Sequence, residues 1–155
     1  MSVRNLSIQE LRDQMVCPIS YELFQDPVSE RSGVCAGHTF ERVWIEDWVS
    51  HHKNCPLTRT HLVAQDLIPN AEIRRACELL DDQRQAPLTA KDMEVIYNGV
   101  EAYLQRRGPN EQPERVPEKI HEDIFERISK AMKETTDATE KEMKKTTDTT
   151  ECVIL

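Results

Sequence analysis

Cys17-Pro18-Ile19-Ser20-Tyr21-Glu22-Leu23-Phe24-Gln25-Asp26-Pro27-Val28 opens the stretch on which the fold is decided, and Leu67-Ile68-Pro69-Asn70-Ala71-Glu72-Ile73-Arg74-Arg75-Ala76 almost closes it. Asp26-Pro27 is a turn signal ahead of a short strand. Ser32-Gly33 and Ala36-Gly37 punctuate the return, so 23–40 reads as a hairpin with an enlarged loop. From Glu41 to Ser50 the pattern turns helical, with Trp44, Ile45, Trp48 and Val49 recurring at steps of three and four. Thr39 is the expected cap, and Glu41 suits the positive end of the helix dipole. A second loop, 51–60, leads to a short strand expected around Leu62-Val63. Asn70 then opens a helix whose apolar face is Ile73, Ala76, Cys77 and Leu80. Hairpin, helix, loop, strand and helix in this order make an α+β fold of one small core.

Working outward, Ser7-Ile8-Gln9-Glu10 has the form of a capping box, with Ile8, Leu11 and Met15 on one face behind it. Residues 1–15 are therefore read as an N-terminal helix and 16–84 as the central domain. After a polar break at 83–87, Thr89-Ala90-Lys91-Asp92 is a second capping box. It precedes Met93, Ile96, Tyr97, Val100, Tyr103 and Leu104 at helical spacing. Gly108-Pro109 stops that helix and 110–117 is a proline-rich connector. Ile120, Ile124, Ile128 and Met132 then recur at steps of four, with Phe125 beside them. Residues 88–133 are thus expected to form a helical hairpin or extension. Its stripes must pair with each other, pack on the first domain, or self-associate as a homodimer. From 134 to 151 the chain is Thr, Lys, Glu and Asp with little else, which predicts a tether that is disordered or only marginally helical.

The 155 residues suffice for one compact domain with appendages. Lys and Arg total 20 against 28 Asp and Glu, a net charge of −8, which argues against nucleic acid as a partner. The five cysteines are odd in number and widely spaced, and Met1-Ser2-Val3-Arg4 opens no secretory signal. A reduced compartment is expected. No apolar run is long enough to cross a bilayer.

Six short segments carry a family resemblance: C-P-I at 17–19, D-P-V at 26–28, G-H-T-F-E-R at 37–42, I-E-D-W at 45–48, C-P-L-T-R at 55–59 and L-I-P-N at 67–70. In this order they resemble the U-box family of ubiquitin ligases, whose domains look like RING fingers that have lost zinc. The RING ligand order falls on Cys17, Ser20, Cys35, His38, Glu41, Trp44, Cys55 and Thr58. The first site, Cys17, Ser20, Glu41 and Trp44, cannot bind zinc. The second keeps Cys35, His38 and Cys55 plus the Thr58 hydroxyl, three ligands where structural zinc takes four. No metal and no cofactor are expected, with zinc at Cys35, His38 and Cys55 as the alternative.

The resemblance implies a docking groove for a ubiquitin-conjugating enzyme, formed by the two loops and the helix between them. By position Ile19, Trp48 and Pro56 match the solvent-facing residues of that groove, while Trp44 and Ile45 belong to the core. Arg59 matches the family's linchpin arginine, which contacts both the conjugating enzyme and ubiquitin and holds the thioester ready for attack. A planar fork with five donors suits that bridge better than a lysine. The resemblance thus implies a non-covalent ubiquitin-protein transferase whose substrate is an unidentified protein. A cysteine nucleophile is not expected, since Cys17 precedes a proline, Cys77 lies on an apolar helix face, and neither shows a His or Asp partner.

Cys152-Val153-Ile154-Leu155 has the C-a-a-X form, and a terminal Leu favours geranylgeranylation. Cys152 is the expected prenylation site. A prenyltransferase and the cytosolic face of a membrane, reached through the lipid anchor, are then expected partners. Lys141, Lys144 and Lys145 are interspersed with Glu140, Glu142 and Asp148, so no polybasic patch reinforces the lipid. The combination also resembles effectors that intracellular bacteria inject into host cells, which would place the prenylation and ubiquitin partners in the host. The competing reading is a non-catalytic prenylated adapter with a degenerate U-box.

Overall fold

A computed structural model describes residues 2–31, 33, 37–81, 86–107 and 115–150, with side chains described as far as residue 136. The chain is α+β. Its sheet has three short antiparallel strands in the order β2-β1-β3: β1 is Pro27–Glu30, β2 is Thr39–Glu41 and β3 is Leu67–Pro69. β1 sits in the middle, with Val28 opposite Phe40 on one side and opposite Pro69 on the other. The helices are α1 (Ile8–Gln14), α2 (Arg42–His52), α3 (Ala71–Leu80), α4 (Ala90–Arg107) and α5 (Glu118–Thr150).

The expected helix starts are built as the sequence indicates. The Ser7 hydroxyl accepts the Glu10 N–H at 3.2 Å while the Glu10 carboxylate accepts the Ser7 N–H at 2.8 Å. Thr89 and Asp92 repeat that reciprocal pair at 2.9 and 3.2 Å. Asn70 caps α3 by accepting the Ile73 N–H at 3.2 Å, and its own N–H donates to the Pro27 carbonyl at 2.8 Å. One residue therefore starts a helix and fastens it to the central strand, satisfying donors that burial would otherwise leave unpaired.

Two expectations are corrected. The strand expected around Leu62-Val63 lies at Leu67–Pro69. The Val63 N–H is instead taken by the Asp66 carboxylate at 3.3 Å, and Leu62 is a buried loop residue. Thr39 does not cap α2. It lies in β2, its hydroxyl paired with that of Ser29 at 2.8 Å, and the helix starts after Glu41. Of the arrangements open to 88–133, packing on the first domain is the one seen. α4 packs mainly on α3, and α5 packs on α2.

The α3–α4 crossing is close at Gly99, where an added Cβ would collide with the Ala76 side chain and come within 3.1 Å of the Glu72 carbonyl. Ile96, Val100, Tyr103 and Ile124, from stripes expected to pair, pack on the first domain or self-associate, are buried within one chain. The tether expected at 134–151 continues α5 as helix to Thr150, and the Thr135 and Thr136 hydroxyls donate back to carbonyls of the preceding turn. Residues 32 and 34–36 of the first loop, 82–85 of the polar break, 108–114 before and in the connector, and 151–155 lie outside the described residues. Among the described residues no helix is long and apolar enough to cross a membrane.

Candidate functional site

Two loops frame the groove, and both are made the same way. In loop 1 the Cys17 N–H donates to the Glu22 carbonyl at 2.9 Å, and the Tyr21 N–H donates to the Cys17 carbonyl at 2.9 Å. In loop 2 the Cys55 N–H donates to the Thr60 carbonyl at 2.8 Å, and the Arg59 N–H donates to the Cys55 carbonyl at 2.9 Å. Each loop begins Cys-Pro, the proline fixing φ at the first turn position. Each ends on a residue in the left-handed region, Tyr21 with φ 61° and Arg59 with φ 64°. A side chain there costs on the order of 1–2 kcal/mol relative to glycine, so both are held in place by the turn hydrogen bonds around them.

Hydrogen bonds brace loop 1 at the first would-be zinc site. The Cys17 sulfur accepts N–H groups from Glu41 at 3.2 Å and Ile19 at 3.4 Å. The Glu41 carboxylate accepts the Gln25 N–H at 2.9 Å and the Asp26 N–H at 3.0 Å. The Asp26 carboxylate in turn holds Arg42 at 2.6 Å and reaches Arg74 of α3 at 3.4 Å. That hydrogen bond with Asp26 raises the Arg42 pKa above its ordinary value. Loop 2 is tied to α2 through Trp48, whose indole N–H donates to the Asn54 carbonyl at 2.9 Å and whose ring stacks on His52. His38 Nδ1 lies 4.0 Å from the Cys55 sulfur, both buried, and the third possible ligand, Cys35, is outside the described residues. Among the described residues no three metal-binding side chains converge.

Arg59 is exposed, its guanidinium 5.9 Å from the centre of the Trp48 ring. The other three expected groove residues differ from the reading above. Ile19 is fully buried, Trp48 is 4% exposed and Pro56 is buried. They were expected to face solvent; the Trp48 indole is instead bonded to Asn54 and stacked on His52, while residues 115–128 bond the residues that flank Ile19. Val116 N–H donates to the Pro18 carbonyl at 2.9 Å and the Tyr21 hydroxyl donates to the Val116 carbonyl at 2.5 Å. His121 stacks on Tyr21 at 5.0 Å and on Trp44 at 5.1 Å; Trp44 is partly buried against the core and Ile45 is fully buried. Arg127 pairs with Asp47 of α2 at 2.8 Å.

Tyr21, Asp47, Val116 and His121 were not singled out in the sequence. The Cys-Pro repeat at 17 and 55 was the signal that could have found Tyr21, as the counterpart of Arg59. Burial pushes the Cys17 thiol up and lifts that of Cys77 to about 12, so neither supplies a thiolate nucleophile near neutral pH.

Residues 12–85 match the U-box domain. Similar proteins include U-box domain-containing protein 25 of Arabidopsis thaliana, 52% identical over 61 residues, which are 38% of this chain and 14% of that protein. U-box domain-containing protein 21 of the same plant is 41% identical over 73 residues, 46% of this chain and 16% of that protein. E3 ubiquitin-protein ligase SPL11 of Oryza sativa subsp. japonica is 43% identical over 63 residues, 40% of this chain and 8% of that protein. The chain thus spans under a fifth of the length of these relatives.

Proposed function

Taking residues 12–85 as a U-box domain, we propose that the chain acts as a ubiquitin-protein ligase of the non-covalent kind. It binds a ubiquitin-loaded conjugating enzyme at Ile19, Trp48 and Pro56 and promotes transfer to a lysine of a protein substrate. The substrate amine attacks the thioester carbonyl, the C–N bond forms, the C–S bond breaks, the thiolate leaves on the conjugating enzyme, and the amine's proton passes to solvent. No side chain of this protein takes part in bond making. Its work is to restrict the loaded thioester to an attack-ready pose, which lowers the barrier by removing freedom in advance. Arg59 does this with a fork that accepts nothing and donates to carbonyls of both partners at once. The observation that carries the reading is the exposed Arg59 over Trp48, on a loop whose strained backbone points that one side chain outward.

Full-length protein mixed with activating enzyme, a panel of conjugating enzymes, ubiquitin and ATP is expected to form ubiquitin chains. Arg59→Ala should slow thioester discharge by about tenfold, the equivalent of one strong positioning contact, while conjugating-enzyme affinity stays within about twofold. No discharge with any member of the panel would refute the reading. The adapter alternative draws support from the covered groove, and binding without discharge by the native chain would favour it.

The C-a-a-X form of Cys152–Leu155 supports a geranylgeranyl anchor and a membrane address wherever Leu155 is the free carboxyl end. With a bacterial source the ubiquitin machinery and the prenyltransferase would be the host's. Labelling with a geranylgeranyl donor, abolished in Cys152→Ser, is the test.

A further inference from the structure

We infer that residues 115–128 shut the groove in the resting chain, so that α5 is an intramolecular shield which a conjugating enzyme must displace. The inference rests on the ligase reading for what the groove binds, and on contacts within this chain for the shielding itself. Three different interactions hold the shield, each on a different part of the groove wall. On loop 1, Val116 clasps both sides of Ile19. Its N–H bonds the carbonyl of Pro18, its carbonyl receives the Tyr21 hydroxyl, and its side chain is only 2% exposed. Between loop 1 and α2, His121 is held between the Tyr21 and Trp44 rings, nearly parallel to both, at interplanar angles of 20° and 14°. On α2 itself, Arg127 Nε donates to Asp47 at 2.9 Å.

Trp44, Asp47 and Trp48 lie three and four residues apart and therefore share one helix face. The shield engages the first two directly, and Ile124, fully buried, lies in the same core cluster as Ile19 and Trp48. A conjugating enzyme that approaches Ile19 past Tyr21 and Trp44 therefore meets Val116 and His121 first. Loop 2 is the exception, because Arg59 remains exposed beside the covered groove.

The stripe Ile120, Ile124 and Ile128 explains why this helix docks. Its polar contacts explain why the docking can be undone, since an ion pair, a ring stack and two main-chain hydrogen bonds are each worth modest amounts in partly wet surroundings. If the groove is open about one-tenth of the time, the apparent affinity for the conjugating enzyme is about tenfold weaker than that of an open groove.

The test uses the full chain. Arg127→Asp places two carboxylates together, and Ile124→Asp puts a charge where an apolar residue is buried. Both are expected to raise conjugating-enzyme affinity and single-turnover discharge about tenfold, with helical circular dichroism retained. Combining Asp47→Arg with Arg127→Asp rebuilds the pair in reverse and should return both readouts toward native values, which a merely unfolded variant would not do. Native and opened chains binding and discharging equally would overturn the shield and leave the ligase reading intact. Failure of both to bind any conjugating enzyme, with both folded, would overturn the ligase reading and the shield with it.

Discussion

Loop 1 and loop 2 are two copies of one turn put to opposite uses. Both run Cys-Pro-x-x-x with the same pair of main-chain hydrogen bonds and the same left-handed fifth residue. In loop 1 that residue is Tyr21, whose ring lies against His121 and whose hydroxyl holds Val116. In loop 2 it is Arg59, exposed. A turn that forces its fifth side chain outward makes a handle. One handle is gripped by the chain's own α5 and the other is left for a partner. The middle residues differ in the same sense, since Ile19 is fully buried and Leu57 only partly.

The largest expected break in that symmetry comes from truncating the middle residues. Ile19→Ala should cost about 2–4 kcal/mol of stability by urea unfolding, because it empties a fully buried site, and Leu57→Ala about 1 kcal/mol. Equal losses would mean that loop 1 is no better covered than loop 2.

Next comes alkaline pH, which probes the apolar packing behind loop 1. Burial raises Cys17 and lifts Cys77 and Tyr103 to about 12, from ordinary values of 9.0 for the thiols and 10.0 for the phenol. Between pH 9 and 12 the unfolded chain sheds protons that the folded chain keeps, so stability is present below pH 9 and falls as pH rises. Cys77→Ala should make that fall shallower. A slope unchanged from native would show that the thiol is not held neutral by the fold.

Tyr21→Phe is smaller. It keeps the ring and deletes one hydrogen bond to Val116, so global stability should drop by about 1 kcal/mol or less while amide exchange speeds up at 115–128. Unchanged exchange there would deny Tyr21 its part in gripping the shield.

Smallest in stability is Arg59→Gly. Glycine adopts φ 64° without strain, so the fold should gain up to about 1 kcal/mol even as discharge falls as far as it does in Arg59→Ala. Lost stability would show that the guanidinium over Trp48 serves the fold.

Local chemistry was legible in the sequence where neighbours decide it. Ser7 with Glu10, Thr89 with Asp92, and Asn70 before Ile73 announce helix starts because the bonds close within three residues. The apolar steps of α2 and α3 announce buried faces for the same reason. Strand β3 was misplaced because Leu62-Val63 is a stronger apolar cue than Leu67-Ile68-Pro69, and only the free edge of β1 decides between them. Arg59 was singled out by its place in C-P-L-T-R, but its twin at Tyr21 went unread, because the shared Cys-Pro turn shows only when the two loops are set side by side. The four-residue stripe of α5 said that the helix must be covered. It could not say by what, because His121, Arg127 and Val116 find their partners across long stretches of chain.

The most direct test of the whole account is hydrogen exchange of the full-length native protein, alone and with an excess of ubiquitin-loaded conjugating enzyme. The account predicts that binding speeds exchange at 115–128 as the shield lifts, while loop 2 around Arg59 becomes protected. Thioester discharge with 115–128 still protected, or protection that increases there on binding, would contradict it.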